Sequence, residues 1–345
     1  MRKTGKSRAG LAAVVVSCAV ALLPAAALAQ FFKGREIQFL VSHPAGGGYD
    51  TYARLYARHL SRFLEGRPGV VAQNMPGAAG LVMANAMASQ QRADGTVIAL
   101  GPGTLAISDL FRAAGARYDA SKLSWIGSMN ADVGVAVAWR TSSVKKAEDL
   151  LTTELIVGGA GVTDNSVVLP TALNRVLGTK MKVVSGYAGT ADLTLALERG
   201  EIGGIGGMNY SSLVANKPEW LQKRLVTVLL QLALERHPDL KDVPTVLEIA
   251  TTAEQRQILE LVFAQADISR VIFGPPGMTR ERLAELRAAF DAMMKDREFL
   301  DDAEKSHIEI NRPMPGASVE NLVAKLRSTS PDLVKIAADA VRMSP

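Results

Sequence analysis

The sequence predicts an α/β protein of two lobes with largely parallel sheets, and three observations support this class. Of the 345 residues, 48% are apolar and 21% are charged, which is typical of a globular protein with a large core. Strand and helix patterns alternate along the chain from about residue 36. No linker rich in serine or proline separates the alternating blocks, so we expect two lobes joined by several crossings.

Residues 1–29 have the pattern of a secretory signal peptide. Residues 2–8 hold four basic side chains and no acid, residues 11–23 are apolar, and residues 27–29 form a small-x-small cleavage site. The apolar stretch is short for a transmembrane helix, which needs about 20 residues. An uncleaved anchor is the alternative interpretation.

Charge and cysteine content then predict a bacterial periplasm. The chain has 39 basic and 34 acidic residues, and removal of residues 1–29 takes away four basic residues and no acid, which leaves 35 and 34 without a basic run that would suit nucleic acid. Cys18 is the only cysteine and lies within the signal segment, where it also gives a weaker match to a lipoprotein cleavage site. The mature chain is long enough to fold without disulfides.

The first block of the mature chain predicts β-α-β-α-β. Residues 36–42 form a short apolar strand, and the glycine-rich loop 43–48 leads into a helix that begins near Asp50. In this helix, apolar side chains recur at helical spacing while arginines line another face. Strands follow at residues 70–73 and 96–100, with a helix rich in alanine and methionine between them.

The second block continues the alternation. Pro170 obscures the start of one helix, and Gly200 suits the position just after the end of another. The predicted elements are strand 133–139, helix 144–151, strand 155–158, a helix after residue 164, strand 181–185, helix 191–199 and strand 225–233.

The last block begins near residue 244. Thr252 and Gln255 have the spacing of a capping box. A strand at residues 269–273 and a rigid turn at 274–277 follow, and Thr279 is placed to cap a long helix.

Enzyme signatures are absent from the sequence. It contains no nucleophile elbow, no H-E-x-x-H motif and no P-loop, and the glycines at 159–161 and 204–206 lack the third glycine of a dinucleotide fingerprint. The four histidines have no metal-ligand spacing, and only His43 lies in a loop that could line a site. The sequence therefore predicts no enzyme, no metal and no cofactor.

Three loops between a strand and a helix remain as candidate ligand sites, at residues 45–51, 159–166 and 187–190. Backbone N–H groups at a helix start attract anions, and glycine lets a ligand approach closely. Any one such loop can be only a turn. One helix end contributes about 0.3–1 kcal/mol, whereas a micromolar ligand needs about 8 kcal/mol, so two or three loops must converge. For Asp50 we expect an N-cap role rather than contact with a ligand.

Several motifs together resemble the receptors of tripartite tricarboxylate transporters, which are also called TctC or Bug-type extracytoplasmic binding proteins. Residues 44–54, P-A-G-G-G-Y-D-T-Y-A-R, resemble the P-x-G-G-x-x-D-x-x-A-R opening of that family. The matches follow in family order over nearly the whole mature chain. The others are N-M-P-G-A-A-G at 74–80, D-G at 94–95, Y-D at 118–119, W-I-G at 125–127, D-V-P-T-V-L-E at 242–248 and G-P-P-G at 274–277.

The resemblance implies a type II-like periplasmic binding fold with a ligand cleft between lobe 1, residues 31–130 and 245–345, and lobe 2, residues 131–244. It implies a monomer that binds a small carboxylate and delivers it to a membrane permease of the tripartite tricarboxylate type. Carried over by position, the expected ligand-binding residues are Gly46, Gly47, Gly48, Asp50, Thr51, Gly77, Ala78, Gly161, Thr163, Asp164, Asn165, Ser166, Tyr187, Gly189 and Thr190.

Two departures from the family pattern bear on the ligand. Ala188 stands where the family commonly has lysine, and Gly203 stands where it commonly has an acid. These changes favour a monocarboxylate, an aromatic acid or a less charged solute over a di- or tricarboxylate. Two other functions stay open: a receptor that signals to a membrane sensor, and a secreted enzyme that would use Asp50, His43 or Asp164.

Overall fold

Two β-sheets organise the computed structural model, which describes residues 31–160, 164–187 and 189–342. The predicted signal peptide, residues 1–29, lies outside the described residues. Within the described ranges, no helix combines the length and the apolar character needed to cross a membrane. The strands are β1 (Glu36–Val41), β2 (Gly69–Asn74), β3 (Val97–Pro102), β4 (Ser124–Ser128), β5 (Gly134–Trp139), β6 (Leu155–Gly159), β7 (Met181–Ser185), β8 (Gly204–Asn209), β9 (Val226–Leu232), β10 (Arg270–Gly274) and β11 (Met314–Pro315).

Six of the helices in the described part of the chain lie where the sequence predicts them, and those at 210–216, 218–222, 297–305, 316–327 and 331–341 were not predicted. Thr252 and Gln255 form the predicted capping box, and the Thr279 side chain accepts the Arg282 N–H at the start of the long helix. Both capping predictions are confirmed. The helices are α1 (Gly48–Leu60), α2 (Leu81–Ser89), α3 (Asn165–Leu177), α4 (Thr190–Glu198), α5 (Tyr210–Asn216), α6 (Pro218–Gln222), α7 (Ala253–Phe263), α8 (Arg280–Met293), α9 (Arg297–Lys305), α10 (Gly316–Arg327) and α11 (Pro331–Val341).

The prediction of largely parallel sheets is wrong. The first sheet has the order β11-β4-β10-β3-β1-β2, and the second has the order β7-β6-β8-β5-β9. β1 runs parallel to β2 and β3, but β10 runs antiparallel to β3 and β4. In the second sheet, β6 runs parallel to β7 and β8, whereas β5 runs antiparallel to β8 and β9. β5 and β10, the first strands after the chain passes from one sheet to the other, run opposite to their neighbours.

Three predicted details differ from the structure. The helix expected at 144–151 is only a 3₁₀ turn at Ala147–Leu151. β4 and β8 were not predicted as strands. Both are almost wholly buried, and the sequence of β8, G-I-G-G-M-N, has the glycine content of a loop.

The cores cross the expected lobe boundary. The first sheet is covered by α1, α8 and α9 on one face and by α2 and α10 on the other. On one face of the second sheet, Leu173 of α3 packs in the same core as Leu259 of α7 and Ala337 of α11. Helices α7 and α11 therefore pack on the second sheet although the chain reaches them after residue 245, and the boundaries given above stay a prediction.

Candidate functional site

A cleft of about 570 Å³ opens between the two sheets. The strands that run parallel within each sheet direct their carboxyl ends toward it. Ser42 after β1 and Pro102 of β3 line one wall, while Ala160 after β6 and Asn209 of β8 line the other. Open α/β sheets bind ligands at this edge, so the cleft is the candidate functional site.

Arg270 lies at the base of this cleft and is 5% exposed. It is the first residue of β10, and the antiparallel register pairs it with Pro102, the last residue of β3. The reversed direction of β10 therefore places a cation among the carboxyl ends of the other strands. Its Nη1 donates to the Ser269 Oγ at 2.6 Å, while its Nε is buried without a hydrogen-bond partner.

Aromatic rings hold the Arg270 guanidinium in place. Its central carbon lies 4.3 Å from the ring centroid of Tyr49 and 5.0 Å from that of Tyr52, within the range of a cation–π interaction. The His43 ring stacks on Tyr49 with centroids 4.0 Å apart and planes 9° apart. Burial, followed by the charge of Arg270, lowers the pKa of His43 to about 4, so His43 is neutral at neutral pH.

Asp132 is the acidic partner of Arg270. Its Oδ2 lies 3.5 Å from the Arg270 Nη2 and accepts hydrogen bonds from Asn209 Nδ2 at 2.8 Å and Ser211 Oγ at 2.9 Å. Asp132 lies two residues before β5, whose antiparallel register pairs Gly134 with Asn209. Burial raises the pKa of the Asp132 carboxyl, while Arg270 and the two donors lower it. This network ties the base of the cleft to the second sheet.

Two helices begin at the cleft without a side-chain cap. The N-cap of α1 is Gly47 and that of α4 is Gly189, and neither supplies a capping side chain. The first N–H groups of a helix have no partner within the helix, and they carry a partial positive charge. The third helix at the cleft, α3, is capped by Asp164, whose carboxylate accepts the Ser166 N–H at 2.9 Å.

Glycines in β8 allow α3 to begin close to the sheet. A Cβ on Gly207 would lie 2.2 Å from the carbonyl oxygen of Asn165 and 3.0 Å from the backbone nitrogen of Ser166. A Cβ on Gly206 would lie 2.9 Å from the Cβ of Pro170. The backbone at the start of α3 therefore rests directly on the strand, and this close approach brings Asn165 and Ser166 into the cleft.

The loop between β2 and α2 adopts an unusual conformation at the mouth of the cleft. Gly77, Ala78, Ala79 and Gly80 all have positive φ, of 145°, 45°, 51° and 93°. This region disfavours residues with a Cβ by about 1–2 kcal/mol each. Gly77 and Ala79 line the cleft. Such local strain is concentrated at functional sites, so it supports a binding role for this loop.

The expectation that Asp50 is the N-cap of α1 is wrong. Asp50 is the third residue of the helix and is 4% exposed. Its Oδ2 accepts the Gly46 N–H at 2.9 Å and the Arg54 Nε–H at 2.9 Å. Its Oδ1 accepts the Asn74 Nδ2–H at 2.9 Å. The carboxylate thus joins three neighbouring segments of the first lobe and does not line the cleft.

Asp50 should make the free energy of unfolding decrease at acid pH. Its pKa is lowered to about 2, chiefly by the hydrogen bond from Arg54, whereas the model-peptide value is 3.8. Its contribution is therefore complete above about pH 4 and is lost as the pH falls toward 2. In Asp50→Asn we expect a smaller drop in the urea midpoint between pH 5 and pH 3 than in the wild type. Glu304→Gln, at an exposed position of α9, should keep the wild-type drop. An equal drop in both variants would contradict this role.

Comparison with known proteins places the fold. A TctC solute-binding protein from Polaromonas, solved without ligand, aligns with a TM-score of 0.66 and 19% identity over 87% of this chain and 98% of that chain. MatC from Rhodopseudomonas palustris, with bound malate, aligns with a TM-score of 0.62 and 22% identity over 87% and 99%. A second R. palustris protein, with adipate, aligns with a TM-score of 0.60 and 19% identity over 88% and 97%.

The chain has the two-lobed fold of the TctC solute-binding proteins. The predicted α/β, two-lobed class is confirmed, and so is the resemblance to the TctC and Bug proteins. The chain is also 39% identical over 83 residues to a UPF0065 protein of Cupriavidus necator, which is 24% of this chain and 25% of that protein. It is 28% identical over 167 residues to a UPF0065 protein of Bordetella bronchiseptica, 47% and 49% of the two lengths. The matched segments thus span half or less of these curated relatives. No protein-family model matches the chain.

Within this TctC-type fold, the predicted ligand residues fall into three groups, and their binding role stays a prediction. Those that line the cleft are Gly48, Gly77, Asp164, Asn165, Ser166 and Thr190. Those that lie in the same loops and helix starts but do not line it are Gly46, Gly47, Asp50, Thr51, Ala78, Tyr187 and Gly189. Gly161 and Thr163 lie outside the described residues, as does Ala188.

Gly203, the second departure from the family pattern, does not line the cleft. It directly precedes β8, and its N–H donates to the Ile156 carbonyl at the start of β6. The cleft lies at the opposite end of these parallel strands, beside Asn209. The effect of this departure on the ligand stays a prediction, since Ile205, two residues further along β8, does line the cleft.

Proposed function

We propose that the chain is a periplasmic solute-binding receptor of the TctC type, which captures a small carboxylate without changing it. The observation that carries this proposal is the buried guanidinium of Arg270 at the base of a cleft between two lobes. A buried cation beside two uncapped helix starts is complementary to an anion. Malate and adipate are bound in two solved structures of similar fold, which supports a carboxylate as the anion.

The cellular role follows from the same resemblance. We propose that the N-terminal segment directs the chain to the periplasm, and that a tripartite tricarboxylate-type permease receives the ligand from a monomeric receptor. We further propose that the two lobes close over the cleft by a hinge motion, in which α7 and α11 move together with residues 131–244 because they share the core of the second sheet. Pull-down of membrane proteins with the loaded receptor would separate a permease from a signalling partner.

Among the described residues, one contact between a serine and a histidine bears on the alternative that the protein is an enzyme. Ser42 Oγ lies 2.8 Å from His43 Nδ1, as a nucleophile and base would. However, Ser42 is only 1% exposed, and a histidine with a pKa of about 4 is a weak base at neutral pH. The pair is therefore better suited to fixing the loop after β1 than to catalysis.

A thermal-shift screen tests the receptor function. The mature protein is first unfolded and refolded to remove bound solutes, and is then heated with mono-, di- and tricarboxylates, aromatic acids and amino acids. A ligand at one hundred times its Kd stabilises the native state by about 2.7 kcal/mol. For a chain of this size we expect Tm to rise by about 2–4 °C.

The corresponding amides serve as controls, because they keep the size of each ligand but lose its charge. They should leave Tm unchanged. If no acid raises the Tm of a refolded protein that melts cooperatively, the proposal of a carboxylate receptor is contradicted. Chemical conversion of a bound acid during the incubation would support an enzyme instead.

A further inference from the structure

On the basis of the receptor function proposed above, we propose that the ligand carries a single carboxylate and an uncharged body, and that a second anionic group is excluded. The charges around the cleft, the partner of Arg270 and the apolar part of the lining each support this assignment.

The cleft has one cationic side chain. Among the described residues that line it, Arg270 is the only lysine or arginine and Asp164 is the only acid. The neighbouring residues whose placement is not described are Gly161, Val162, Thr163 and Ala188, and none has an ionisable side chain. A ligand therefore meets at most one cationic side chain among the described residues of the lining.

Arg270 is itself partly neutralised. Asp132 lies 3.5 Å from its Nη2, so the pair together contributes little net charge to the cleft. The starts of α1 and α4 add partial positive charge, which Asp50 and Asp192 in their first turns reduce. This field suits one carboxylate. A second carboxylate would have to be stabilised by the same positive charge as the first, and the nearby Asp164 would repel it.

His43 does not supply a second cation. Its ring is stacked on Tyr49 and lies in the field of Arg270, and its pKa is about 4. At neutral pH its side chain therefore offers hydrogen bonds without charge. The charged groups that face it are Arg270, which disfavours its protonation, and Asp164, which favours it.

The rest of the lining is apolar in several places on both walls. Apolar side chains can cover the body of a ligand, but they leave a second carboxylate without a partner and so penalise its desolvation. These residues are Pro44, Pro76, Pro102, Leu193, Ile205 and Met208.

Isothermal titration of the refolded mature protein with matched acids tests the proposal. The pairs are hexanoate with adipate, butanoate with succinate and benzoate with phthalate, in which a second carboxylate replaces a methyl group or a hydrogen atom of the first acid. In any pair that binds, we expect the monocarboxylate to bind at least about tenfold more tightly. Tighter binding of the dicarboxylates would overturn this inference and leave the receptor function intact. Absence of binding by every acid would overturn both.

A charge-adding variant provides the internal check. Ser212 of α5 lines the cleft and is half-buried, so Ser212→Lys should place a second cation there. In this variant we expect the monocarboxylate and the dicarboxylate of a pair to bind with affinities within about threefold of each other, or the dicarboxylate to bind more tightly. Ser212→Met has similar length without charge and should keep the wild-type preference.

Thr190→Lys, with Thr190→Met as its control, repeats the test at an exposed lining residue should the Ser212 variants fail to fold. An unchanged preference for the monocarboxylate in a folded lysine variant would overturn the electrostatic explanation.

Discussion

Arg270→Gln should weaken carboxylate binding by about 10- to 100-fold. A hydrogen bond to a charged group is worth about 1.5–3 kcal/mol, and each 1.4 kcal/mol is a factor of ten in affinity. The variant loses the one cationic side chain among the described residues that line the cleft. Titration calorimetry with the acid that gives the largest thermal shift measures the effect.

The stability of this variant must be separated from its affinity. Removing Arg270 leaves Asp132 buried beside Asn209 and Ser211 without its cation, and an unpaired buried charge costs about 3–5 kcal/mol. The double variant Arg270→Gln/Asp132→Asn removes both charges and should regain much of that stability, but not the affinity. If either folded variant binds the acid as tightly as the wild type, Arg270 does not hold the ligand.

Among the glycine-to-alanine substitutions in the second sheet, Gly207→Ala should lower the free energy of unfolding the most. The new Cβ would lie 2.2 Å from the Asn165 carbonyl oxygen and 2.6 Å from its carbon, and backbone atoms cannot rotate away. Overpacking of this kind costs about 1–3 kcal/mol. Because α3 must shift, Asn165 and Ser166 should also leave their positions in the cleft, and carboxylate affinity should fall together with the urea midpoint.

Gly69→Ala is the matched control for this change. Gly69 also lies in a strand, but a Cβ there meets only the Glu36 side chain at 3.7 Å, which is ordinary contact. Its urea midpoint and its ligand affinity should stay close to those of the wild type. Equal effects of the two alanines would show that the close approach of α3 to β8 is not what Gly207 provides.

Local sequence signals located α1 to α4, α7 and α8 because the causes of these helices are local, whereas α5, α6 and α9 to α11 were not predicted. The capping box at Thr252 and the cap at Thr279 depend on side chains within three residues of each other, and Gly200 follows α4 with a φ of 74°. The glycine-rich loops before α1, α3 and α4 were located for the same reason. Asp50 shows the limit, because its partner Asn74 is distant in sequence and draws it away from a cap role.

The base of the cleft was missed because it depends on strand direction. In a parallel sheet, the first residue of a strand lies at the edge away from the carboxyl ends, so Arg270 would have been remote from the site. The antiparallel entry of β10 reverses this, and the antiparallel entry of β5 does the same for Asp132. The one sequence signal for the base of the cleft was an arginine, Arg270, within the predicted apolar strand 269–273.

The packing of α7 and α11 on the second sheet has a consequence for how the protein can be divided. Leu259 and Ala337 complete a core to which the middle of the chain contributes residues such as Leu173. A gene fragment that encodes only residues 131–244 would leave this core open to water. Residues 131–244 are therefore not a folding unit by themselves, and synthesis must reach α11 before the core of the second sheet is complete.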